Sequence, residues 1–159
     1  MWQEENDQIR KCRLSLNLCK LKRILSSNFP KLSIDIKELQ ELYFSAVDLD
    51  SKPEKGERKL ADDFIILINE SFGDLESLSE SQQVQLISLN EYALRLSPYN
   101  FDIQMFQANL FDSLGMSVSF SQALTELNLK GVQLESLGYL HVRHTLKHGT
   151  FESIFRPTY

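Results

Sequence analysis

SPYNFDIQMFQANLFDSLGMSVSFSQALTELNLKGVQLESLGYLHVRHTLKHG, residues 97–149, is the stretch that decides the fold. Ile103, Phe106, Leu110 and Leu114 recur every three or four residues, the spacing of one helix face. Gly115 closes that run. Phe120, Ala123, Leu124 and Leu127 begin a second, closed by Gly131. Leu137, Leu140, Val142 and Leu146 form a third, closed by Gly149. Gly115 and Gly149 stand 34 residues apart, and each sits where a tight turn between helices calls for a residue tolerant of positive φ.

A 34-residue spacing is the period of the tetratricopeptide repeat, a helix–turn–helix unit. The register extends beyond the two glycines. Such a repeat ends with a small residue and a proline five positions later, which Ala93 and Pro98 supply. Counting on from Pro98 starts the next repeat at Phe101. Ala108 then takes the position where a small side chain lets two helices approach, and Phe111 the position of the aromatic that fills the gap. The following repeat is degenerate, with Val142 and Thr145 in those places. One helix pair cannot bury its apolar face alone, so pairs stack on their neighbours. The reading is an all-α, tetratricopeptide-like α-solenoid segment of antiparallel helix pairs, clearest over 81–150 within 60–156 and cut off mid-repeat.

Upstream, Ser79 with Gln82 predicts a capping box opening a helix over 81–97, with Leu86, Leu89, Ala93 and Leu96 on its face. Residues 60–72 hold FIILI, whose β-branched run suits a strand; a lone strand would leave its backbone unpaired, so a buried helix is expected. Residues 48–59 carry Pro53, Gly56 and alternating charges and read as a flexible loop. Two N-terminal helices are expected within 1–50. The first covers 7–28, with stripes Ile9-Cys12-Leu16-Cys19 and Leu14-Leu18-Leu21-Leu25, so packing on two sides is expected. The second covers 35–49, with Asp35 and Glu38 as a capping box. A last helix begins near Phe151. Trp2 and the aromatics at 43, 44, 92, 99, 101, 106 and 111 read as packing residues.

The chain has 159 residues, 42% hydrophobic and 25% charged, enough for one domain with a buried core. Its net charge of −5 is unevenly spread: residues 1–31 carry seven Lys/Arg against three Asp/Glu, and residues 32–80 carry five against thirteen. An acidic chain of this kind is a poor general nucleic-acid binder, because phosphate contact needs a basic face. The basic start (Arg10, Lys11, Arg13, Lys20, Lys22, Arg23) reads first as the solvated face of an amphipathic helix. MWQEENDQ lacks the apolar core of a signal peptide, and Phe64–Ile68 is too short to span a bilayer. Cys12 and Cys19, about 10.5 Å apart along a helix, lie beyond disulfide reach. They read as reduced core residues of a cytoplasmic protein.

Catalytic and cofactor signatures are not found. The six glycines are isolated, so no phosphate-cradling loop forms. No GxSxG or Cys/His pairing occurs. His141, His144 and His148 share one helix face, but with no acidic residue beside them on that helix and with Arg143 and Lys147 flanking them. A basic stripe at a helix C-terminus, favourable to the dipole and turned to an acidic partner, is preferred over a metal site. No catalytic, cofactor or metal residue is assigned. The expected partner-facing residues are Tyr99, Asn109, Tyr139, His141, His144 and His148.

Leu114-Gly115, Leu127-Asn128-Leu129-Lys130, Gln133 and Leu137-Gly138-Tyr139-Leu140 together resemble the auxiliary subunit family of the NatB N-terminal acetyltransferase complex. Gln133-Leu134-Glu135-Ser136 departs from the family's Q-x-D-T. The resemblance covers about 81–155 well and 1–80 loosely. It implies a non-catalytic scaffold that wraps the NatB catalytic subunit and helps place the enzyme at the ribosome. The complex acetylates N-termini beginning Met-Asp, Met-Glu, Met-Asn or Met-Gln. Family members are far longer, so a fragment or short form is expected. An unrelated tetratricopeptide-like adaptor, holding a peptide in its concave groove, is the alternative.

Overall fold

The structure is a computed structural model and describes residues 2–26, 35–49, 59–127 and 132–149, with side chains from 6–26, 35–49, 59–127 and 138–149. These residues are all helical apart from turns. The helices are α1 (Trp2–Ser26), α2 (Ile36–Val47), α3 (Asp62–Ser71), α4 (Glu80–Leu96), α5 (Phe101–Ser113), α6 (Ser117–Glu126) and α7 (Val132–His148). A single 3-10 turn, Leu75–Ser77, lies between α3 and α4. Helices that are neighbours in sequence pack on one another, α1 on α2, α2 on α3, α3 on α4 and α6 on α7, which is the tetratricopeptide-like arrangement of adjacent pairs. Residues 50–58 of the expected 48–59 loop, Gly131 and the expected last helix from Phe151 lie outside the described residues.

The chain divides into two compact units, and the division falls inside α5 between Ile103 and Gln104. The first holds α1 to α4. There α1 packs on α2 and α3, α2 on α3, and α3 on α4. Its core is Leu39, Tyr43 and Ala46 from α2, Phe64, Ile65 and Ile68 from α3, and Leu86 and Ala93 from α4, all essentially without solvent contact. The FIILI run is therefore helical, and what makes it apolar on several sides is burial between α2 and α4. Burial also pushes the Tyr43 phenol well above its usual range, with Tyr92 and Asp62 adding to the effect.

Polar groups fix the register of this unit. Asn69 and Asn90 are buried and exchange amide hydrogen bonds at 2.7 and 2.9 Å. Asp62, also buried, accepts from the Ser97 hydroxyl at 2.8 Å, the Asn100 amide at 2.8 Å and the Lys59 backbone N–H at 3.1 Å. A buried carboxylate is tolerable only when its lone pairs are filled in this way. Asn100 serves twice, since its Oδ1 caps α5 by accepting from the backbone N–H groups of Asp102 and Ile103.

Ser79 and Gln82 form the predicted capping box in both directions. At α2 the predicted box does not form: Asp35 is a simple N-cap that accepts from the Lys37 N–H at 2.9 Å, while Glu38 lies 3.8 Å from Lys22. The larger difference concerns α1. Cys12, Leu16 and Cys19 are buried, but Leu14, Leu18, Leu21 and Leu25 are 61%, 55%, 56% and 41% exposed. The second stripe faces outward because the helices packed against α1, α2 and α3, share one side of it. Of the aromatics expected to pack, Tyr43 is buried, whereas Phe44, Tyr92, Tyr99 and Phe101 are exposed. Tyr43, Phe44 and Tyr92 still touch, with ring centroids 5.2 to 6.4 Å apart.

The second unit holds the Leu75–Ser77 turn and the rest of α5 with α6 and α7. Ala108, Leu110 and Phe111 from α5, Phe120 from α6 and Leu140 from α7 are buried. Ala108 and Phe111 thus occupy the small and filling positions that the repeat register assigns them.

Candidate functional site

Gly115 turns the chain from α5 into α6 at φ 67°. Its N–H donates to the Asp112 carbonyl at 3.1 Å, and the Met116 N–H donates to the Phe111 carbonyl at 2.9 Å. That pair of bonds is a Schellman motif, the common way to close a helix on glycine. The turn brings Asp112, on the last turn of α5, beside Ser117, the first residue of α6. The C-terminal half of α7 lies over both.

One side chain from each helix meets there. His144 Nδ1 is 2.6 Å from Asp112 Oδ1, and His144 Nε2 is 2.9 Å from Ser117 Oγ. Arg143 donates to Asp112 Oδ2 at 2.7 Å. His148 Nε2 donates to the Asp112 carbonyl at 2.7 Å. The His144 ring stacks on Phe120, with centroids 4.2 Å apart, and tilts against His148 at 4.6 Å. Burial raises the Asp112 carboxyl's pKa, but the hydrogen bonds from His144 and Arg143 outweigh it and hold the group below its usual value. An ionised Asp112 accepts from Nδ1–H, which leaves the Nε2 lone pair for the Ser117 hydroxyl.

That connectivity is the one by which a carboxylate orients a histidine base toward a serine nucleophile. Here the imidazole is 2% exposed, with Phe120 against its ring and His148 beside it. What the arrangement does in the fold is cross-link α5, α6 and α7. Asp112, His144 and His148 also bring three metal-ligating atoms within 4.8 Å of one another. Their donor atoms are committed elsewhere: a guanidinium holds one Asp112 oxygen, both His144 nitrogens have protein partners, and His148 is turned to a carbonyl.

The histidine stripe is thus divided. His144 is 2% exposed and lies inside the fold, where Asp112 of α5 holds its ring. His148 is half-buried. His141 is half-buried and lies parallel to Phe120 at 6.4 Å. Lys147 is paired with Glu76, so the basic residues at the end of α7 are largely matched within the unit. Asn109 is half-buried on α5; Tyr139 is 58% exposed on α7 and Tyr99 is 58% exposed in the turn before α5. Tyr99 belongs to the first unit and the other five residues to the second. Sequence reasoning does not single out Asp112 or Ser117. The available signal is a carboxylate directly after Phe111, the filling position of the repeat register, where a charge has to find a partner.

Among the described residues no helix is long and apolar enough to cross a membrane. No curated protein and no solved structure matches the chain. Residues 2–159 match the family described as the N-acetyltransferase B complex (NatB) non-catalytic subunit, a span that includes the N-terminal half where the sequence resemblance is loose. The chain therefore belongs to the NatB non-catalytic subunit family.

Proposed function

We propose that this chain is a scaffold segment that binds the NatB catalytic subunit and takes no part in the chemistry itself. The family match over 2–159 carries the reading. Paired helices support it, because stacked pairs present long, rigid surfaces suited to holding another protein. In this reading the complex acetylates N-termini beginning Met-Asp, Met-Glu, Met-Asn or Met-Gln. It works in the cytoplasm, and the scaffold helps it associate with the ribosome.

Tyr99 and Tyr139 are the proposed contact anchors, since exposed tyrosines are favoured where binding energy concentrates. Asn109, His141 and His148 are secondary candidates. His144 contributes by holding α7 in place through Asp112.

The test is co-purification of the chain with the NatB catalytic subunit, followed by acetylation of a Met-Asp peptide from acetyl-CoA. Complex formation, with acetylation enhanced by the chain, is the expected result. A chain that is helical by circular dichroism yet neither binds nor enhances would sink the reading and return attention to a peptide-binding adaptor.

A further inference from the structure

The outward face of α1 has a composition that the core does not explain. Leu14, Leu18, Leu21 and Leu25 follow one another at spacings of four, three and four, and all are exposed. That is the spacing of a helix–helix seam. From Leu14 to Leu25 the seam runs about 16 Å, three helical turns at about 1.5 Å per residue. The opposite face of the same helix, Cys12, Leu16 and Cys19, is buried within the unit. A single exposed leucine calls for no explanation, whereas four in one line form a contiguous patch of the kind that marks an interaction site.

The rim of the seam is basic. On a helical projection Arg10 and Arg13 fall on one flank and Lys11 and Lys22 on the other. Arg10 and Arg13 are exposed, whereas Lys11 pairs with Asp7 at 3.5 Å and Lys22 with Glu38 at 3.8 Å, so the charge left over lies on the arginine flank. Next to the seam a cleft of about 590 Å³ opens between α1 and α3, lined by Lys20, Arg23, Ile24, Leu67 and Glu70 among others. Ion pairs Lys20–Asp63 and Arg23–Glu70 lash α1 to α3 across it. The surface is therefore held on a braced helix and not on a loop.

From this face we infer that α1 docks an acidic amphipathic helix, one with leucine-type residues at alternating three- and four-residue spacing and Asp or Glu along the flank that meets the arginines. Apolar side chains of that helix lie along Leu14, Leu18, Leu21 and Leu25, and its carboxylates face Arg10 and Arg13. A second copy of α1 is a poor match, since residues 8–26 carry no Asp or Glu to face Arg10 and Arg13. The apolar side also lacks the exposed Trp or Phe common on helices that lie in a membrane surface.

The probe is a fluorescein-labelled 21-residue helical peptide with Leu at the seam positions of each heptad and Glu at the flanking positions. Its anisotropy is followed on titration with the full chain. Saturable one-to-one binding is expected, weakened several-fold between 50 and 300 mM salt because the flanking charges are exposed. Leu18→Glu with Leu21→Glu should abolish binding while leaving circular dichroism and the melting temperature unchanged, since both residues are exposed. Arg10→Glu with Arg13→Glu keeps the seam and should weaken binding at least tenfold. Three results would overturn the proposal. The first is equal binding of a peptide with Lys in place of Glu. The second is self-association of the chain that the Leu18/Leu21 variant removes, with no peptide binding. The third is co-sedimentation with anionic phospholipid vesicles, again without peptide binding.

Discussion

Asn69 on α3 and Asn90 on α4 face each other as a buried amide pair, each carbonyl accepting from the other's NH2 at 2.7 and 2.9 Å. The second Asn90 amide proton goes to the Leu86 carbonyl at 2.8 Å. Apolar side chains would tolerate several small slips of one helix along the other. A two-way amide pair tolerates only one register.

Removing one partner should therefore cost more than removing both. Asn90→Ala leaves the Asn69 amide buried and unmatched, a loss of about 1–3 kcal/mol. Replacing both asparagines by Leu should cost less than the two single Leu variants added together. Urea denaturation of the four species of the cycle gives the coupling directly. Strict additivity would mean the pair contributes nothing beyond its separate residues.

The Ser79 cap of α4 is exposed and touches no core residue, so it reports on helix capping alone. Ser79→Ala should lower stability by about 1 kcal/mol, and Ser79→Asp should restore most of it. Both are read by the shift in denaturation midpoint at constant slope.

Gly73 and Gly115 have almost the same backbone conformation, φ 66° and 67°, but different surroundings. A Cβ at Gly73 meets nothing within 4 Å, whereas at Gly115 it comes within 3.2 Å of His148 Nδ1. Gly73→Ala should cost about 1 kcal/mol, the strain of a left-handed residue. Gly115→Ala should cost more, because His148 must also leave the Asp112 carbonyl. Equal losses would show that the His148 contact is unimportant.

Asp112 gives the second unit an acid-sensitive element. Its folded pKa is depressed, so its contribution is full above the unfolded value and is lost as pH falls through the folded one. Because the shift is downward from the ordinary carboxyl value of 3.8, the loss begins near pH 4 and continues below it. His144, Arg143 and His148 are the charged or titratable groups that face it. Asp112→Asn should destabilise the chain at pH 7, and its stability relative to wild type should improve as pH drops below 4. A constant difference across that range would show that the carboxylate charge is not what matters.

Cys12 and Cys19 are 7% and 2% exposed, and burial raises both thiol pKa values, with Glu38 adding to the effect at Cys19. Neither should react quickly with a thiol reagent at pH 8 in the folded chain. Both should react at once in guanidinium. Rapid labelling of either without denaturant would place that thiol outside the core.

Local signals settle the helices. Three- and four-residue spacing, the Ser79–Gln82 box, Pro98, and the glycines at 73, 115 and 149 act within a few residues of chain. Their geometry follows from backbone sterics and unsatisfied N–H groups, so they can be read along a line. The 34-residue register is equally one-dimensional, and counting along it is enough to assign Ala108 and Phe111 to the core. Sequence pattern also carries the family membership.

Tertiary structure decides everything that joins distant positions. Asp112 and His144 lie 32 residues apart, Asn69 and Asn90 lie 21 apart, and Asp62 and Ser97 lie 35 apart. On α7 alone the histidines look like a basic stripe; only when α5 lays a carboxylate beside them does His144 become a buried cross-link. The same holds for α1, whose two leucine- and cysteine-bearing stripes look alike in sequence. Which one is buried depends on where α2 and α3 come to rest, because burial is a property of neighbours in space and the hydrophobic spacing of one helix does not specify them.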